Sequence, residues 1–273
     1  MKVVDFHVHI GNLRTWHPWV LDLMRKGNPD QFDELEGLMH PGPLEEYLKG
    51  QGIWKAVVLA DNCPITTGIV TNDYVAEFCK GHDFFIPFAS IHPDQDHLVN
   101  ATVRCVKEFG FKGIKMYPTY QHFFPNDENM YPLYETAQEL KVPIMFHTGS
   151  SVFRGSKLKY GEPKLLDDVA VDFPELRIVM AHSGRSVWYE EAVLLATLHP
   201  NVYMEVSGLP PKNLLRYFPT LEKVADKVIF GSDWPTIGDI KGNMEAIKNL
   251  GLSPEAVEGV LGGNAMRVLG LGR

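Results

Sequence analysis

The chain has 273 residues, 45% hydrophobic and 22% charged, ordinary values for a water-borne globular protein with length enough for one large core. Its formal net charge of -8 argues against a nucleic-acid footprint or an anionic membrane surface, and no apolar run approaches a membrane span. Cys63, Cys79 and Cys105 contain no C-x-x-C and cannot all pair, so they read as small buried residues in a reducing compartment. MKVVDFHVHI is not built like a signal peptide, and a cytoplasmic protein is expected.

In chain order, eight short runs rich in β-branched residues recur: 2–10, 55–60, 84–90, 113–118, 142–148, 177–183, 201–207 and 227–233. Stretches of helical period separate them, the rhythm of βα units around a parallel sheet. NDYVAEFCKGH starts at an Asn cap and stops at Gly81, and YPLYETAQELK carries Pro132 in its first turn. SPEAVEGVLGGNAMRVLG gives a Ser cap, then a Gly-Gly break and a short last helix. With no repeat or linker, the expectation is an α/β fold: one (β/α)8 TIM-barrel domain over residues 1–273, distorted at its first connection. Residues 11–43 are too long for an ordinary βα loop and should cover the active site, with Trp16, His17 and Trp19 as candidate contacts.

The polar residues of these runs gather at one end of the barrel. His7 and His9, at i and i+2, project from one face of the first strand. Lys115 lies in the fourth run, His147 ends the fifth, His182 the sixth and Asp233 the eighth. All occupy carboxyl-terminal strand ends, where barrel enzymes carry their catalytic groups. Polar groups in apolar strands are costly without partners, and a divalent metal would satisfy them together. Three imidazoles and a carboxylate suit Zn2+ or another first-row ion with a position left for water.

The series DFHVHIG, GIKMYP, PIMFHTGS, FPELRIVMAHSGR, IFGSDWP and GGNAMRVLGL resembles the amidohydrolase superfamily, over nearly the whole chain. It is most similar to the amidohydrolase family 2 branch that includes aminocarboxymuconate-semialdehyde decarboxylase and related metal-dependent hydrolases. The resemblance implies that His7, His9, His147 and Asp233 ligate the metal. His182 then handles the proton of the attacking water. In binuclear members of the superfamily a carboxylated fourth-strand Lys bridges two metals, so Lys115 is either a free ammonium beside one Zn2+ or such a bridge.

Two reactions follow from the resemblance. The first is hydrolysis of an amide, ester or lactone of a small, anionic or aromatic substrate, with Asp233, His182 and Lys115 as catalytic residues. The second is non-oxidative decarboxylation of an aromatic or muconate-type acid. Lys115, Arg154, Arg185, Tyr117 and Trp234 are the candidate substrate contacts, with Tyr120, Gln121, His122 and Glu205 in similar positions. His92 reads as a loop hydrogen-bonder. The expected partner is a small molecule, with no nucleic acid and no membrane, and the resemblance leaves room for a homodimer.

Overall fold

The computed structural model describes residues 1–94 and 97–272. Its main sheet has eight parallel strands in sequence order: β1 (Val4–His9), β2 (Lys55–Leu59), β3 (Phe85–Ser90), β4 (Gly113–Met116), β5 (Ile144–Gly149), β6 (Ile178–Arg185), β7 (Val202–Glu205) and β8 (Val228–Ile229). Each of the eight expected runs supplies one strand, in the expected order. The seam between β8 and β1 is closed by Phe6 N–H to Phe230 O at 3.1 Å, Asp233 N–H to His7 O at 3.0 Å and His9 N–H to Trp234 O at 2.8 Å. The buried Asp5 carboxylate spans the same seam, accepting from the backbone N–H of Ser232 at 2.8 Å and of His7 at 3.2 Å.

Side chains on alternate positions separate two cores. Val4, Phe6, Leu59, Ile86, Phe88, Met145, Val179, Ala181 and Ile229 fill the barrel interior, while Ile114, Ile144, Met180 and Met204 meet the surrounding helices. Gly113 makes room for Phe88: a Cβ there would lie 2.3 Å from the Phe88 ring. Above this apolar plug the interior turns polar at the strands' carboxyl ends, where Lys115, His147 and Glu205 continue the inward-facing rows of β4, β5 and β7.

Two rows change parity just below that level. The β1–β2 register slips between Asp5 and Val8, so that Phe6 and His7 both face inward although they are neighbours in sequence. The β5–β6 register slips after His147 and Ala181, over residues 182–184 with positive φ, and turns His182 inward beside Ala181.

The helix signals need two corrections. Thr71 rather than Asn72 caps the helix Asn72–Cys79, its side chain accepting from Tyr74 N–H. The Gly-Gly pair does not break the last helix. Residues Gly259–Gly263 form a wide π-turn that runs on into Asn264–Leu269. The turn lets the backbone approach the residues just before β1 closely, since a Cβ on Gly262 would lie 2.0 Å from Lys2 O.

The insertion after β1 forms short helices, of which Pro18–Gly27 lies against the carboxyl end of the barrel. It is bound to a two-stranded hairpin, Asp61–Cys63 with Gly68–Val70, that follows β2 and was not expected from the sequence. Trp16 bridges to Gly68, His17 N–H donates to Thr67 O at 3.0 Å, and Trp19 Nε1 donates to Thr66 O at 2.7 Å. Gly68 is required there, because a Cβ would lie 2.0 Å from Thr15 O and its φ is +122°. Among the described residues no helix is long and apolar enough to cross a membrane.

The last helix is tied to β8 by one fully buried side chain, Asn264, whose Nδ2 donates to Ala225 O and Val228 O, each at 2.7 Å. Asn264→Ala strands two buried carbonyls and should lower the unfolding free energy by about 2–4 kcal/mol in urea melts. A loss below about 0.5 kcal/mol would show that water replaces the amide without penalty.

Candidate metal centre and active site

His7, His9 and Asp233 converge at the carboxyl end of the barrel. His7 Nε2 and His9 Nε2 are 3.3 Å apart, and Asp233 Oδ1 lies 3.7 Å from the first and 3.5 Å from the second. Ligand atoms of a tetrahedral ion with bonds of about 2.0–2.1 Å sit about 3.4 Å from one another, so the triangle has the dimensions of one face of such a site. His147 lines the same cavity, and its Nε2 is buried with no hydrogen-bond partner among the described residues. With an orphaned buried imidazole nitrogen beside a triangle of donor atoms, these residues fit a divalent cation.

The groups behind these donors set their tautomers. His7 Nδ1 faces Glu205 Oε2 at 3.2 Å and Ser207 Oγ at 2.9 Å, which places its proton on Nδ1 and bares Nε2. His9 Nδ1 faces Asp61 Oδ2 at 3.4 Å. Burial alone would lower His9, but Asp233 and Asp61 override it and hold the imidazole up at about 9. Asp233, which burial alone would raise, is held well below the usual carboxylate range by His9, His182 and His7.

His182 Nδ1 donates to the backbone carbonyl of Ser207 at 2.9 Å. A carbonyl only accepts, so the proton sits on Nδ1 and Nε2 keeps its lone pair. Burial and then Arg185 lower His182 well below its usual value, which keeps the ring neutral. A second cluster of donor atoms, from His7, His182 and Glu205, is not an ion site. The Ser207 hydroxyl already fills its middle, 2.9 Å from His7 Nδ1, 3.1 Å from His182 Nδ1 and 2.9 Å from Glu205 Oε2.

Lys115 is fully buried on the cavity floor, and its ammonium meets no hydrogen-bond partner among the described residues. Burial lowers it to about 8 against the pull of Glu205, Asp233 and Asp61. Arg185 is clamped on Ser150 O by Nε at 3.2 Å and Nη2 at 2.9 Å. The three nearest neighbours of a Cβ on Gly208 would be Asp233 Oδ2 at 2.8 Å, Arg185 Nη1 at 2.9 Å and His182 Nδ1 at 3.3 Å, and the glycine φ is +65°. Only glycine lets those three side chains meet.

Of the expected substrate contacts, Lys115, Arg185 and Tyr117 line the cavity, and so does Tyr120. Arg154 and Trp234 do not. Arg154 is exposed, its guanidinium 5.5 Å from the Trp19 ring centre. Trp234 is fully buried in the outer core, 5.9 Å from the Tyr47 ring, because the turn that presents Asp233 sends the next side chain outward. Trp16 lines the cavity, whereas His17 is bonded to Pro64 O and Trp19 to Thr66 O. Gln121 is a buried brace to Asn62 O and Ile91 O, and His122 bonds Gly155 O away from the site. His92 accepts from Asp94 N–H, the loop role expected of it.

Asp61 and Ser207 were missed. Asp61 stands two residues past β2 and could have been found by asking which strand ends still lacked a polar residue. Ser207 gave no signal beyond its nearness to Glu205.

A family model described as "Amidohydrolase" matches residues 4–271. The chain belongs to the amidohydrolase family. It is 35% identical to an L-fucono-1,5-lactonase of Burkholderia ambifaria over 119 residues, 34% of this chain and 41% of that one. It is 25% identical to a gamma-resorcylate decarboxylase of Rhizobium over 219 residues, 60% of this chain and 64% of that one. These matches span less than two thirds of either relative. The crystal structure of a dihydroxybenzoic acid decarboxylase from Polaromonas, with bound manganese and the inhibitor 2-nitroresorcinol, superposes with a TM-score of 0.73. It is 18% identical and covers 100% of this chain and 98% of its own, which shows the shared barrel fold.

Glu205→Gln keeps the side-chain volume but removes the charge facing His7 Nδ1. Affinity for a divalent ion should fall about tenfold to hundredfold, read by competition against a chelating dye. Unchanged affinity would show that Glu205 does not orient His7.

Proposed function

We propose that the protein is a metal-dependent hydrolase that cleaves an amide, ester or lactone of a small, anionic or aromatic substrate. In this reading His7, His9, His147 and Asp233 hold one divalent ion. The ion supplies Lewis acidity toward a carbonyl oxygen and toward water.

The observation that carries the reading is the tautomer of His182. With Nδ1–H spent on the Ser207 carbonyl, the ring offers a bare Nε2 on the wall of the cavity that holds Asp233. A neutral imidazole and an ionised carboxylate are proton acceptors, which hydrolysis requires to take a proton from water. The same groups then return that proton to the leaving atom. Lys115 and Arg185 face the cavity as the cations suited to a substrate carboxylate or a developing oxyanion. The similarity to a lactonase agrees with this chemistry.

Decarboxylation of an aromatic or muconate-type acid is the second reading, and Lys115 favours it. Its buried ammonium is an acid on the floor able to donate a proton to carbon, and two curated relatives, from Rhizobium and Polaromonas, are decarboxylases.

A panel of lactones, aryl esters and amides, together with hydroxybenzoates and muconate-type acids, separates the two. Hydrolysis gives alcohol or amine products without carbon dioxide. Carbon dioxide from the acids with no turnover of the esters or lactones would overturn the leading reading. Chelator treatment should abolish turnover and added divalent metal restore it. Asp233→Asn should lower kcat by at least about a thousandfold with unchanged far-ultraviolet circular dichroism. Near-native activity in that variant would remove Asp233 from the mechanism.

A further inference from the structure

The cavity is two-faced along its depth. Its floor is polar: His7, His9, Lys115, His147, His182 and Asp233. Its outer wall is mostly apolar, made by Val20, Leu23 and Met24 of the insertion helix and by Val152 and Phe153 of the loop after β5, with Thr67 and Thr236 as polar members of the lining. Val20 and Met24 are buried, but Leu23 and Phe153 are only half-buried and Val152 is 76% exposed. Two loops from opposite sides of the barrel thus set incompletely covered apolar side chains around the mouth of a polar site.

We infer that the substrate is amphipathic, its reacting polar group on the floor and an alkyl or aryl tail running out between Leu23 and Val152. The helix Pro18–Gly27 and the loop after β5 therefore select the tail. A tail there removes water from side chains that otherwise keep apolar surface wet, and each methylene buried between them improves binding by about fourfold. The hydrogen bonds of Trp16, His17 and Trp19 to the hairpin hold the selecting helix in place, so little ordering cost offsets the gain. The inference rests on the proposed metal site for the position of the head group, and on the cavity wall alone for the tail.

The test is a homologous series of hydroxamates, a metal-chelating head with tails from acetohydroxamate to octanohydroxamate. Binding to the metal-loaded protein is read by isothermal titration calorimetry, independent of turnover. Affinity should climb about threefold to fourfold per methylene over the first three or four methylenes. In Val152→Asp and Leu23→Asp, both at partly exposed positions, the climb should flatten at least tenfold at octanohydroxamate while acetohydroxamate binds as before. Val152→Leu should restore or steepen it.

Equal affinity along the series, or a climb that survives both aspartate variants, overturns the tail subsite and leaves the metal reading standing. A climb without any dependence on bound metal supports the subsite and overturns the metal reading. Failure of every hydroxamate to bind overturns both.

Discussion

Everything at the carboxyl end of the barrel depends on how the charge buried there is balanced. Asp61, Glu205 and Asp233 share a small volume with Lys115, Arg185 and four imidazoles. Taking such groups out of water costs several kcal/mol each unless partners compensate. Local pairing covers part of the cost, through Glu205 with Ser207 and His7, and Asp61 with His9. What remains is a triangle of donor atoms, an orphan imidazole nitrogen and an unbonded ammonium, all facing one cavity. Stability alone would replace these with hydrocarbon, as the lower part of the same barrel does.

The backbone deviates where the polar layer begins. His182, Ser183 and Asp233 carry φ values of +63°, +45° and +64°, unusual for residues with side chains. Regular strands would have sent His7 or Phe6, and Ala181 or His182, to opposite faces. The slips in β1 and β6 let an apolar layer and a polar layer follow each other without a spare residue between them. Gly208 and Gly231 complete the arrangement by absence: a Cβ on Gly231 would lie 2.2 Å from Glu205 Oε1 and 2.8 Å from His7 Cβ. Strain and missing side chains together let the imidazoles and carboxylates close on one point.

Much of this was legible in the chain itself. Eight runs rich in β-branched residues predict eight strands, and the His, Lys and Asp at their ends predict the polar layer, because both signals have the period of a strand. Arg154 and Trp234 misled for one reason. Closeness in sequence to a site residue says nothing of direction once the chain leaves the strand, and the turn at Asp233 sends Trp234 into the core. The hairpin at 61–70 was illegible because its strands are three residues each and depend on Trp16 and Thr15 from a distant segment. Ser207 was illegible too, since a serine draws meaning only from the two histidines and the glutamate that surround it.

Barrel and insertion divide the work unequally. The polar layer is held by strand ends, a closed seam and buried hydrogen bonds, so its geometry changes little without unfolding. The wall of Val20, Leu23, Met24, Val152 and Phe153 is carried by connections that contribute nothing to the eight-stranded ladder. Substitutions there leave the chemistry of the floor intact while changing what fits above it. Loops can vary on a constant barrel for that reason, and family membership names the chemistry of the floor more readily than the substrate. In this chain the substrate is written on the insertion helix and the loop after β5, where apolar side chains wait half-covered at the mouth.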